Sequence, residues 1–130
     1  MTLKVRLAVS NASLRNALLR SLEQEGDVVI LAATARSDEP AADLLVVHAA
    51  PQSPDTFELI RSVRSSQPRT RAIMLFEQPT DQAVRDAIAA GASGIAATTQ
   101  PLRELLGAIR IVAQGGSYMC PNIIALDVQR

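Results

Sequence analysis

Apolar residues along this chain fall into two alternating kinds of run. Short, nearly continuous stretches, Leu3 to Val9, Asp27 to Ala33, Ala42 to His48, Ala72 to Phe76 and Gly94 to Ala97, are rich in Val, Ile and Leu. That is the pattern of strands buried on both faces. Between them the apolar positions recur at helical spacing. Leu14, Leu18 and Leu22, with Ala17 and Ser21 beside them, mark a first helix, which Ser10, Asn11 or Ser13 can cap and Gly26 can stop. Further helices are predicted over Asp55 to Ser66, over Thr80 to Ala90 with Thr80 or Asp81 as cap and Gly91 as a left-handed stop, and over a last segment opened by Gln100-Pro101 and ended by Gly115-Gly116.

Strands that alternate with helices imply parallel pairing, right-handed crossovers and helices on both faces of one sheet. One connection is short. Only Thr34 to Asp43, with Pro40 inside it, joins the second strand to the third. A complete crossover needs about 10–12 residues, so this one has room for about a turn of helix. Residues 1–117 are expected to form the domain, and residues 118–130 a tail or the start of a linker.

Composition narrows the class. The chain has 130 residues, 48% of them hydrophobic, and a formal net charge of zero. That describes an ordinary globular domain rather than a disordered segment. No apolar run reaches the ~18 residues that cross a bilayer, and Met1 to Leu7 enters a strand without a signal-peptide pattern, so a cytoplasmic protein is expected. Cys120 is the sole cysteine and reads as structural or incidental. Gly115-Gly116-Ser117 follows a helix and lacks the strand-before, helix-after setting of a phosphate loop. Arg61, Arg64, Arg69 and Arg71 are balanced by acids and stand almost without aromatic neighbours, which reads as a solvated face rather than a nucleic-acid surface.

The strand and helix order from Lys4 to about Pro121, the turn Gly91-Ala92-Ser93-Gly94 and the run from Leu105 to Tyr118, ending Ala113-Gln114-Gly115-Gly116-Ser117-Tyr118, resemble a receiver domain of bacterial two-component response regulators. The last run most resembles the subfamily that carries a LuxR-type helix-turn-helix after the receiver. The resemblance implies a flavodoxin-like (βα)5 fold with a five-stranded parallel sheet in the order 2-1-3-4-5. It also implies a full second helix, which the short Thr34 to Asp43 connection reduces.

A receiver that accepts phosphate needs carboxylates for Mg²⁺ after its first strand, an aspartate nucleophile after its third, a hydroxyl after its fourth and a lysine after its fifth. At those places the resemblance puts Ser10 and Asn11, then His48, then Phe76, then Thr98. Neutral oxygens cannot offset the dehydration of Mg²⁺, and an imidazole forms no acyl phosphate. Ile95 stands where the family commonly has an aromatic switch residue. No catalytic residue, metal site or cofactor is therefore expected. His48 is the chain's one histidine and has no second nitrogen or thiolate beside it for a metal. Glu77, directly after Phe76, can pair with His48 if it folds inward.

The expected function is a degenerate, phosphorylation-independent receiver that serves as the dimerisation and regulatory module of a transcription regulator. DNA would be contacted only through a C-terminal domain beyond this chain. The resemblance implies a homodimer through the helix over Thr80 to Ala90, the strand Gly94 to Ala97 and the last helix. That last helix offers Leu102, Leu105, Leu106, Ile109, Ile111 and Val112, more apolar surface than one sheet face needs. A wholly buried helix explains the same residues equally well. Two other readings stand beside this one: a sensor whose vacated pocket takes a small ligand, and a stand-alone adaptor for a partner protein.

Overall fold

The computed structural model describes residues 2–9, 11–31, 42–49, 55–77 and 80–119. In chain order the elements are β1 (Leu3–Ala8), α1 (Ala12–Glu23), β2 (Val28–Leu31), β3 (Leu44–Ala49), α2 (Asp55–Ser66), β4 (Arg71–Phe76), α3 (Asp81–Ala90), β5 (Gly94–Ala97), α4 (Leu102–Ala113) and β6 (Tyr118–Met119). The strands form one parallel sheet in the order β2-β1-β3-β4-β5-β6. This is the flavodoxin-like order expected for the first five strands. The expected five-stranded count is corrected by a sixth, Tyr118–Met119, which pairs with Gly94 and Ile95. A two-residue strand is too short to leave a periodic trace, so the sequence placed Tyr118 and Met119 at the head of a tail. The reduced second helix between Thr34 and Asp43, Pro40 within it, and Cys120 lie outside the described residues, apart from Ala42 and Asp43 at the connection's end.

Alternation along the central strands sorts the core into two layers. On one face Leu45, Val47, Met74, Phe76 and Ile95 pack with Ile60 and Val63 of α2 and with Val84, Ala87 and Ala90 of α3. On the other, Val5, Leu7, Leu44, Val46, Ile73 and Leu75 pack with Leu18 and Leu22 of α1 and with Leu105, Ala108, Ile109 and Val112 of α4. The last helix sits so close to the sheet that a methyl at Gly94 would come within 2.6 Å of Val112 and 3.1 Å of Ile73.

Helix ends follow the local chemistry of the sequence. Asn11 caps α1, its side-chain oxygen accepting from the Leu14 N–H at 3.0 Å, and Thr80 caps α3 through the Ala83 N–H at 3.2 Å. Gly91 and Gly115, with φ of 113° and 99°, turn the chain out of α3 and α4. After α4 the Gly115 N–H reaches the Val112 carbonyl and the Gly116 N–H the Ile111 carbonyl, so these two carbonyls of the last turn are used. That turn delivers Tyr118 to the open edge of β5. At the opposite end Arg110 spans from α4 to the α1–β2 turn, 2.9 Å from Asp27 and 3.2 Å from Glu25.

Candidate functional site

In an open parallel sheet the loops beyond the strands' carboxyl ends form the crevice where ligands and chemistry are found. Here that edge collects the ends of β1, β3, β4 and β5. Asn11 follows β1, but its side-chain oxygen is committed to the α1 cap. Ser10 lies outside the described residues. His48, the next-to-last residue of β3, pairs in register with Leu75 of β4 and is only 4% exposed. Phe76 ends β4 and is buried in the layer under α2 and α3, beside Val47, Met74 and Ala97. Thr98 follows β5, half-buried, with its backbone N–H on the Phe76 carbonyl at 2.8 Å.

The structure places the Glu77 carboxylate 3.3 Å from His48 Nε2. Glu77 is itself 46% exposed, so it reaches back from the rim. The two groups are close but outside hydrogen-bonding alignment, and among the described residues neither imidazole nitrogen has a hydrogen-bond partner. A polar ring is thus held in the interior without a hydrogen bond to any described residue. Such a group costs about 1–3 kcal/mol.

The Mg²⁺ that receiver chemistry uses does not fit these residues. Asn11 spends its oxygen on a helix cap, His48 puts a ring where the central carboxylate would stand, and Phe76 lays an aromatic face at the neighbouring strand end. Glu77 alone among these positions offers a carboxylate, and Mg²⁺ requires several oxygen ligands in near-octahedral array. Among the described residues no three His, Cys, Asp or Glu side chains converge on a common point.

A feature the sequence reading missed lies beside Thr98. Gln100, read only as part of the turn into the last helix, accepts from the Ala97 N–H through Oε1 at 2.9 Å. Through Nε2 it donates to the Tyr118 hydroxyl, also at 2.9 Å. No local pattern marks a pair eighteen positions apart. It exists because β6 brings Tyr118 alongside β5.

The apolar set on α4 divides. Leu105, Ile109 and Val112 are buried against the sheet, Leu102 and Leu106 are half-buried against the same layer, and Ile111 alone is 44% exposed. Burial of the helix therefore accounts for five of the six. On α3, Ile88 is 50% exposed. Among the arginines, Arg61 and Arg69 are exposed, whereas Arg64 ties the α2–β4 loop by donating to the Pro68 and Thr70 carbonyls.

No family model and no curated protein sequence matches this chain. Solved structures do. It is similar to a LuxR-family two-component response regulator from Aurantimonas sp. SI85-9A1, with a TM-score of 0.86 and 22% identity over 100% of this chain and 99% of that one. It is similar to the isolated REC domain of RcsB from Salmonella enterica serovar Typhimurium, solved with the phosphomimetic BeF3-, with a TM-score of 0.79 and 16% identity over 97% and 99% of the two chains. A third likeness is to the signal receiver domain of the putative response regulator NarL from Mycobacterium tuberculosis, with a TM-score of 0.75 and 18% identity over 88% and 98%. The fold is that of response-regulator receiver domains, LuxR-family members among them.

Proposed function

We propose that this chain is a phosphorylation-independent receiver: a non-enzymatic, dimeric, cytoplasmic module that regulates transcription through a DNA-binding domain beyond its own residues. The observation that carries the reading is His48. It stands buried at the end of β3, where the resemblance places the phosphate-accepting aspartate, and an imidazole cannot become an aspartyl phosphate. Asn11, Phe76 and Thr98 compound the loss, since they supply neither the metal's carboxylates nor the lysine that would draw a phosphoryl group. A module without a covalent trigger must hold its partner-competent surface at rest, or shift its population by binding something else.

The likeness to LuxR-family regulators supports a role in transcription, and the exposed Ile88 of α3 and Ile111 of α4 are apolar groups that a second copy would cover. Small-ligand sensing finds less support, because the imidazole nitrogens are shut off from solvent. No helix among the described residues is long and apolar enough to cross a membrane.

The test is chemical. Acetyl phosphate with Mg²⁺ should leave the intact mass unchanged, and beryllofluoride should leave the amide resonances of His48 and Thr98 in place. His48→Asp alone should be equally inert, because the missing carboxylates and lysine remain missing. A stoichiometric acyl phosphate on the wild-type chain would overturn the proposal.

A further inference from the structure

We infer that Gln100 and Tyr118 form a latch that fixes the loop after β5 and the last strand, β6, as one mechanical unit. The need for it arises at β5. Strand β6 pairs only with Gly94 and Ile95, so the buried Ala97 lies past its end and its N–H has no strand partner on that side. A buried, unpaired N–H is costly, and Gln100 Oε1 supplies the acceptor at 2.9 Å. The Gln100 N–H closes the same turn on the Ala97 carbonyl at 3.1 Å. The other end of the amide, Nε2, donates to the Tyr118 hydroxyl at 2.9 Å.

Tyr118 is anchored independently. Its N–H donates to the Ser93 carbonyl at 3.2 Å, and its side chain packs against both apolar layers of the core. One half-buried glutamine thus joins two places. The first is the loop carrying Thr98, whose own N–H is held by Phe76 at the candidate site. The second is the last described element before the chain runs on to residue 130.

The latch holds this loop through the two ends of the Gln100 amide. Coupling of this kind is reciprocal. A partner or following domain that pulls β6 away loosens the Thr98 loop, and whatever displaces that loop frees β6. The inference goes beyond the lack of phosphorylation and stands or falls separately from it, since its test contains no phosphodonor.

The test uses Tyr118→Phe, which removes one hydroxyl and keeps the ring in both core layers, together with Gln100→Ala. Amide hydrogen exchange is followed by NMR on the full chain. Tyr118→Phe should speed exchange at Ala97 roughly 3- to 10-fold, the range one neutral hydrogen bond carries. Gln100→Ala should speed exchange at Tyr118 and Met119 by a similar factor, while Leu45 and Val46 in β3 stay as in the wild type. If Tyr118→Phe leaves Ala97 unchanged while Gln100→Ala exposes it, glutamine caps β5 by itself and the latch is wrong. A uniform rise that includes β3 would overturn it equally, because it would report global loosening rather than a local link.

Discussion

Replacing His48 by Leu should stabilise this protein, the opposite of what removal of a buried side chain with satisfied hydrogen bonds would do. The ring is 4% exposed and its nitrogens have no hydrogen-bond partner among the described residues. Burying such a group costs about 1–3 kcal/mol. Against that stands the attraction of Glu77 at 3.3 Å, but a carboxylate that is 46% exposed is well screened and contributes at most about 1 kcal/mol. Leucine is close in size, continues the apolar face made by Leu44 and Val46, and meets Leu75 across the ladder. The balance is a gain of about 1 kcal/mol, seen as a melting temperature higher by about 3–5 °C for a domain of this length. Urea unfolding should show a higher midpoint with an unchanged slope. Glu77→Ala should change stability by no more than about 1 kcal/mol in the same assay. A loss of more than about 1 kcal/mol in His48→Leu would refute the reasoning, since it would mean that the imidazole is well satisfied where it stands.

Two further outcomes follow from other parts of the structure. Arg110 hydrogen-bonds Asp27 and holds its carboxyl below the ordinary value of 3.8, so the contact favours the folded state above that pH and is lost as the pH falls through the folded-state value. Urea midpoints of wild type and Asp27→Asn should therefore differ at neutral pH and converge as the pH is lowered past 3.8; a gap that persists in acid would exclude the carboxylate as its source. Light scattering at micromolar concentration should report a dimer without any phosphodonor. Ile111→Glu together with Ile88→Glu should shift it to monomer, whereas a wild-type chain that stays monomeric at high concentration would rule out the dimer.

Much of the fold was legible from local chemistry. The runs of Val, Ile and Leu mark five strands, and Asn11, Thr80, Gly91 and Gly115 bound the helices because capping and left-handed turns are decided within a few residues. The placement of the candidate site along the strands was legible too. His48, Phe76 and Thr98 are strand-end residues, and position along a strand fixes which edge they reach.

What the sequence by itself could not decide was how those side chains spend their hydrogen bonds and surface. Asn11 stood both among the possible caps and among the pocket positions until the Leu14 N–H claimed its oxygen. The broad apolar face of α4 suited an interface or a core, and packing against Ile73, Leu75 and Ala96 put most of it in the core. Tyr118 was a tail residue until β6 formed, and only then did Gln100 acquire its partner. Each of these outcomes depends on contacts between residues far apart in the chain. Periodicity and capping act over a few residues, so they determined the elements; the three-dimensional meeting of strand ends decided which polar groups are paired and which, like His48 among the described residues, are not.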